Sequence, residues 1–312
     1  MHANPEDLNA PLASAPARSG AFESIPEGPV LRFFRFLWLA VWRSFQHDAF
    51  AVAKASAYSS ILTFFPALLV VGSVLATSRR TGAYAREISY ALGKILPAGT
   101  ATALAYLKGT TQRPVGLLVT TSLLTVWTAS GVMISWMEGF RNAYQLPKTW
   151  GLLKERLIAF ALVILAGIPM TFSTILVAFG SRIETRILFH LDREFGFYVL
   201  LMWIAIRWLI AILTSIAVIA LIYHNGVPRT QPWHSVLPGA TLATGMWFGA
   251  TLLFGWYLNR YADYSIIYGS LGAGIALLVW MYMISLIILV GAEFNAMLFP
   301  RSMLGRELVA AG

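Results

Sequence analysis

Charged side chains are scarce in this sequence, and a few stand where a charge is costly. Lys54, Arg207 and Glu293 fall within long apolar runs, and Asp263 lies just before another. Insertion scales put an Arg, Lys or Asp at the centre of a membrane helix at about 2.5–3.5 kcal/mol, so such a residue is a candidate for ligand binding or for a transport path. A plainer use exists for each. Lys54 and Arg207 have long apolar stems and can snorkel their heads to an interface. Glu293 stands near the exit of its run. Arg207, several turns inside, is the strongest candidate, and Glu293 or Asp263 are the acids it could pair with.

Other chemistry is missing from the pattern. There is no cysteine, hence no disulfide, thiolate metal site or cysteine nucleophile. There is no GxxxxGK[ST] loop for a nucleotide phosphate, no HExxH and no GxSxG. The five histidines (His2, His47, His190, His224, His234) show no metal-ligand spacing with an acid. His224 and His234 flank one loop, where a surface role is the simpler reading. The acids are scattered, whereas phosphodiester hydrolysis usually gathers carboxylates or histidines around metal ions. We therefore expect no enzyme, no metal and no cofactor. The net charge of +9 points to anionic lipid headgroups as partners in a membrane protein, and not to nucleic acid.

The elements that carry these residues follow from composition. Of 312 residues, 58% are hydrophobic and 12% charged, about half the usual charged share of a soluble domain. Six stretches hold no charge: 55–78, 114–137, 157–181, 208–228, 230–259 and 264–292. Each can supply the roughly 20 apolar residues that cross a bilayer. Helix is the only open-ended structure that satisfies its own backbone in lipid. The expected fold is all-α: a polytopic bundle of six transmembrane helices near 54–77, 115–137, 157–179, 199–223, 237–258 and 271–298, plus interfacial amphipathic helices.

Outside the spans, 1–29 is rich in Pro, Ala and Ser and reads as a disordered tail without a signal-peptide core. Segment 30–47 puts Val30, Phe33, Phe34, Leu37, Trp38, Val41 and Phe45 on one helical face and Arg32, Arg35 and Arg43 opposite, the pattern of a helix lying along headgroups. Loop 78–114 is basic and predicts one or two surface helices broken at Pro97. The six-span domain covers 48–300, and 301–312 is a C-terminal tail. Pro66 and Pro169 are expected to kink the first and third spans. Gly245 and Gly249 form a GxxxG, read first as packing within the bundle and second as the face of a homo-oligomer. Trp and Tyr at span ends form an aromatic belt, while Trp127, Trp247 and Trp280 at mid-span read as packing residues.

Orientation is nearly balanced by charge. Loop 138–156, with Arg141, Lys148, Lys154 and Arg156, and the arginine helix before the first span favour both termini inside. The C-terminal third adds a resemblance. Pro238-Gly239-Ala240, Trp247, Phe254, Tyr257, Tyr264, Tyr268-Gly269-Ser270-Leu271-Gly272, Trp280 and Gly291-Ala292-Glu293 closely resemble the YihY/BrkB family of bacterial inner-membrane proteins. Ala57-Tyr58 through Phe65-Pro66 and the region of Asn142 fit as well. The resemblance covers roughly residues 30–300 and implies six spans with cytoplasmic termini. Family members long carried a ribonuclease BN label, for which these residues offer no site. The expected function is transporter-like, moving or binding a lipid or other amphiphile in the envelope, with a non-transport scaffold or assembly factor as the alternative.

Overall fold

The computed structural model describes residues 29–77, 115–190, 193–228, 232–261 and 264–299. The expectations for the N-terminal tail, the 78–114 loop, Asp263 and the C-terminal tail lie outside these residues. Within them the chain is helical: α1 (Pro29–Gln46), α2 (Ala49–Thr77), α3 (Val115–Ala143), α4 (Leu152–His190), α5 (Arg193–Asn225), α6 (Trp233–Tyr261) and α7 (Tyr264–Leu298). Helices α2 to α7 each contain a window long and apolar enough to cross a membrane. The helices overrun the charge-free stretches at several ends, because a helix carries its last turns into the headgroup region where charge is tolerated.

Each span packs on the next in sequence, and α2 also packs on α7. The six spans thus close into a ring, with a further contact of α3 on α7 across it and α1 laid against α7 and α2. α2 and α4 continue as single helices through Pro66 and Pro169. The buried core is concentrated toward the end of the bundle where α2 begins and where α3, α5 and α7 finish. Phe140, Tyr223, Val236, Leu289 and Ala292 are its centre. Leu, Ile, Phe and Trp side chains are exposed on every span, among them Leu62, Leu123, Ile168, Leu213, Leu252 and Leu278. A surface of that kind is suited to hydrocarbon and not to water.

Two corners use left-handed backbone without glycine. Asp48 (φ 57°) turns the chain between α1 and α2, and its carbonyl accepts from Ala51 N and Val52 N at 3.0 and 3.1 Å. Gln145 (φ 51°) closes α3, with Leu146 N donating to Arg141 O at 2.9 Å. That 6→1 bond, with Gln145 N donating to Asn142 O at 3.1 Å, is the Schellman ending that satisfies the last carbonyls of a helix. Asp tolerates the left-handed region because its short polar side chain bonds locally.

Two packing expectations are corrected. A side chain on Gly245 or Gly249 would meet nothing within 4 Å, so the GxxxG does not serve contacts inside the bundle. The close approach lies elsewhere. A Cβ on Gly239 would overlap the Gly291 carbonyl, and one on Gly291 would overlap the Tyr223 hydroxyl. α6 and α7 cross there backbone to backbone. Trp127 is the second correction. It is 57% exposed and faces outward, so it does not pack in the bundle interior. Trp280 does pack, stacked on Phe254 with ring centroids 5.2 Å apart.

Candidate functional site

The polar residues gather where the core is densest. Asn295 on α7 is fully buried and spans two backbone groups of α6: its Oδ1 accepts from Gly239 N at 2.6 Å and its Nδ2 donates to Val236 O at 3.1 Å. Pro238 inside α6 has no N–H to give its helix, and the Asn295 amide bonds the backbone on both sides of it. Tyr223 donates its hydroxyl to Ile288 O at 2.6 Å, tying α5 to α7. Ser56 and Ser285 meet at 2.9 Å between α2 and α7. Such bonds between spans are the polar glue that lipid-facing helices lack.

Glu293, the candidate acid among the described residues, is buried at 1% exposure. Its partner is His47, whose Nδ1 stands 2.6 Å from Oε1. Glu293 does not pair with Arg207, and Asp263, the other acid considered for Arg207, lies outside the described residues. His47 sits in the α1–α2 corner, and its carbonyl accepts from Asn142 Nδ2 at 3.5 Å. Its Nε2 is 3.4 Å from Gln145 Nε2. One histidine therefore pins the corner to α7 and to the α3–α4 turn. Oε2 of Glu293 is buried with no hydrogen-bond partner. In the same turn Arg141 and Glu155, both buried, form an ion pair, and Lys148 reaches Glu155 Oε2 at 3.5 Å.

The remaining candidates stand apart from this cluster. Lys54 is exposed on α2, in keeping with a snorkelling stem. Arg207 is half-buried on α5 between the exposed Ile206 and Trp208. His224 stacks on Trp233 with centroids 4.4 Å apart, and His234 meets Phe299 edge-on, so the two histidines serve different neighbours. Among the described residues no three of His, Asp and Glu come together as a metal site.

Inside the ring lies a cavity of about 280 Å³. Five spans wall it, through Met133 and Trp136, Val163 and Met170, Ile219, Trp247 and Ile284 among others. Among the described residues the lining is apolar or aromatic throughout, and neither Arg207 nor Glu293 is part of it. The cavity was not legible beforehand. Trp247, read as a packing residue, forms part of its wall, and Trp136, read as part of the belt, forms another.

The comparisons with known proteins agree with one another. A "Putative ribonuclease-like protein YfkH" of Bacillus subtilis is 27% identical over 266 residues, covering 84% of this chain and 94% of that protein. A "UPF0761 membrane protein" of Tolumonas auensis is 28% identical over 282 residues, 88% of this chain and 89% of that one. A UPF0761 membrane protein of Vibrio vulnificus is 36% identical over a shorter stretch of 96 residues, 31% of this chain and 30% of its own length. No solved structure matches. The family described as virulence factor BrkB matches residues 41–307, which takes in all six spans, the His47–Glu293 pair and the Gly239–Gly291 crossing, and this chain belongs to that family of membrane proteins.

Proposed function

We propose that the protein sits in the bacterial inner membrane with both termini cytoplasmic, and that it holds the apolar part of a lipid or other amphiphile in a transporter-like manner. The observation that supports this reading is the cavity. Its volume of about 280 Å³ is near the lower end of the ~300–1,000 Å³ of ligand pockets. It is about twice the ~150 Å³ apolar cavity that stays dry and takes up benzene. That is room for one chain or ring system, and its wall offers such a ligand the environment it has in hydrocarbon. The polar cluster lies toward one end of the bundle and is bonded within itself except at Glu293 Oε2. Among the described residues no metal-binding group is assembled to match a ribonuclease-like name, and the proposed role is non-enzymatic.

Gly167 provides the test. It lines the cavity, and a side chain there would meet nothing within 4 Å. Gly167→Leu should fill the space without strain and replace a poor helix former with a good one. A photoreactive alkyl lipid incorporated with the whole protein in vesicles should label the segments around Met133, Met170 and Trp247. The Gly167→Leu protein should lose that labelling while unfolding at the same or a higher temperature. Unchanged labelling of those segments in Gly167→Leu would remove the cavity from the function. One observation favours the second reading, an envelope scaffold without transport: among the described residues the cavity lining holds no ionisable side chain to receive a headgroup. Lipid composition of the two leaflets, compared in cells with and without the protein, separates the readings. A scaffold leaves it unchanged.

A further inference from the structure

The hairpin of α3 and α4 holds more positive charge than its buried acid takes up. Glu155 receives both Arg141 and Lys148. Arg156, the next residue, points elsewhere. Its guanidinium carbon stands 4.3 Å from the centroid of Trp127 and 5.7 Å from that of Phe160, and the two rings are 5.8 Å apart. Among the described residues Arg156 forms no ion pair, and neither Glu138 nor Glu155 is within ion-pair distance of it. An aromatic face beneath a guanidinium holds it through the ring quadrupole and leaves the N–H edge of the fork open. The surroundings make this arrangement more than a surface arginine. Trp127 is exposed, as are Leu123, Leu124 and Ile164 on the same two spans, and such a face is covered by lipid. A cation at the edge of hydrocarbon takes its counter-charge from water or from a headgroup, and the anion available beside a lipid-covered face is a lipid phosphate.

We propose that Arg156, held on Trp127 and Phe160, binds the phosphate of an anionic phospholipid whose acyl chains run along Leu123, Leu124 and Ile164. The charge selects the headgroup, and the fork suits phosphate oxygens in pairs. Lys154, 6.0 Å from the Trp150 ring, adds a second cation to the same end of α4. The site is independent of the cavity: it lies on the outer face, and it stands whether or not the cavity takes a ligand.

The full-length protein in detergent, titrated with phosphatidylglycerol or phosphatidylcholine and followed by native mass spectrometry, tests the proposal. Wild type should take up phosphatidylglycerol in preference to phosphatidylcholine. Arg156→Gln should weaken phosphatidylglycerol binding about tenfold, the size of a charge-assisted contact, and phosphatidylcholine binding less, because choline already neutralises that phosphate, so that the preference between the two lipids narrows. Arg156→Lys keeps the charge and should fall between the two, so the reading does not depend on Arg156→Gln folding well. Trp127→Leu should also weaken binding by removing the platform. Inorganic phosphate should not compete, because it lacks the chains. Equal lipid preference in wild type, Arg156→Gln and Arg156→Lys would overturn the proposal. Competition by inorganic phosphate would overturn the lipid as occupant.

Discussion

A buried carboxyl group needs a partner, and in this protein the partner comes from the other end of the chain. Glu293 and His47 are 246 residues apart in sequence. Removing one member of such a pair leaves an uncompensated buried group, which costs about 3–5 kcal/mol in comparable pairs, while replacing both with apolar residues is often neutral. His47→Leu should therefore destabilise the protein by about 3 kcal/mol, and His47→Leu with Glu293→Leu should recover most of it. Glu293→Gln keeps an oxygen for His47 and should cost less than His47→Leu. Thermal unfolding of the four proteins in one detergent measures this. If His47→Leu alone unfolds at the wild-type temperature, the pair is not holding the corner. At this scale the sequence was half legible. Glu293 stood out because a charge in an apolar run is conspicuous. His47 did not, because a lone histidine beside a helix end looks like any surface histidine. Asn295 and Tyr223 were missed for a similar reason: a single polar residue among apolar ones carries no spacing signal.

Elements were more legible than their faces. Helix α1 runs within a residue of the range expected from its amphipathic pattern, yet the face that packs on α7 is not the widest apolar one. Ala40 and Ser44 are fully buried there, with Phe36 and Val41 beside Val290 and Phe294. Phe34, Trp38 and Phe45, on the face read as lying along the headgroups, are exposed at 59%, 69% and 58%. Periodicity counts apolar area, but close helix approach selects small residues, and the large aromatic ones are left to face lipid. The same physics explains the glycines. Both pairs lie in spans, and only the one at the α6–α7 crossing meets another backbone. The exposed aromatic row with Arg32 and Arg35 gives α1 a testable property. A peptide of residues 30–47 should become helical on vesicles containing anionic lipid, with each arginine near the surface contributing about 1 kcal/mol at low salt. Circular dichroism on anionic and neutral vesicles reads the difference. Equal helicity on both would show that the arginines do not drive binding.

The number of spans follows directly from composition, because a backbone in hydrocarbon has no partner but itself. The closure of α2 on α7, and the cavity inside the ring, do not follow from it. They depend on which helix faces carry small residues and on contacts between segments far apart in sequence. Orientation is a property of the whole molecule, and three observations bear on it together. The basic α3–α4 hairpin, the arginines of α1 and the packed polar cluster all lie at the bundle end where α2 begins and α7 finishes. Positively charged short loops are retained on the cytoplasmic side, and six spans, the number found among the described residues, would put both termini on one side. A C-terminal fusion should therefore be active with a reporter that works only in the cytoplasm and silent with one that works only outside it. Fusions in the α3–α4 turn, near Lys148, should behave like the C-terminal ones. Fusions between α2 and α3 should show the opposite pattern. An active external reporter at Gly312 would reverse the orientation and place Arg156 in the outer leaflet. Anionic lipid is enriched on the cytoplasmic face, so the headgroup site proposed for Arg156 and the topology of the chain support or weaken each other.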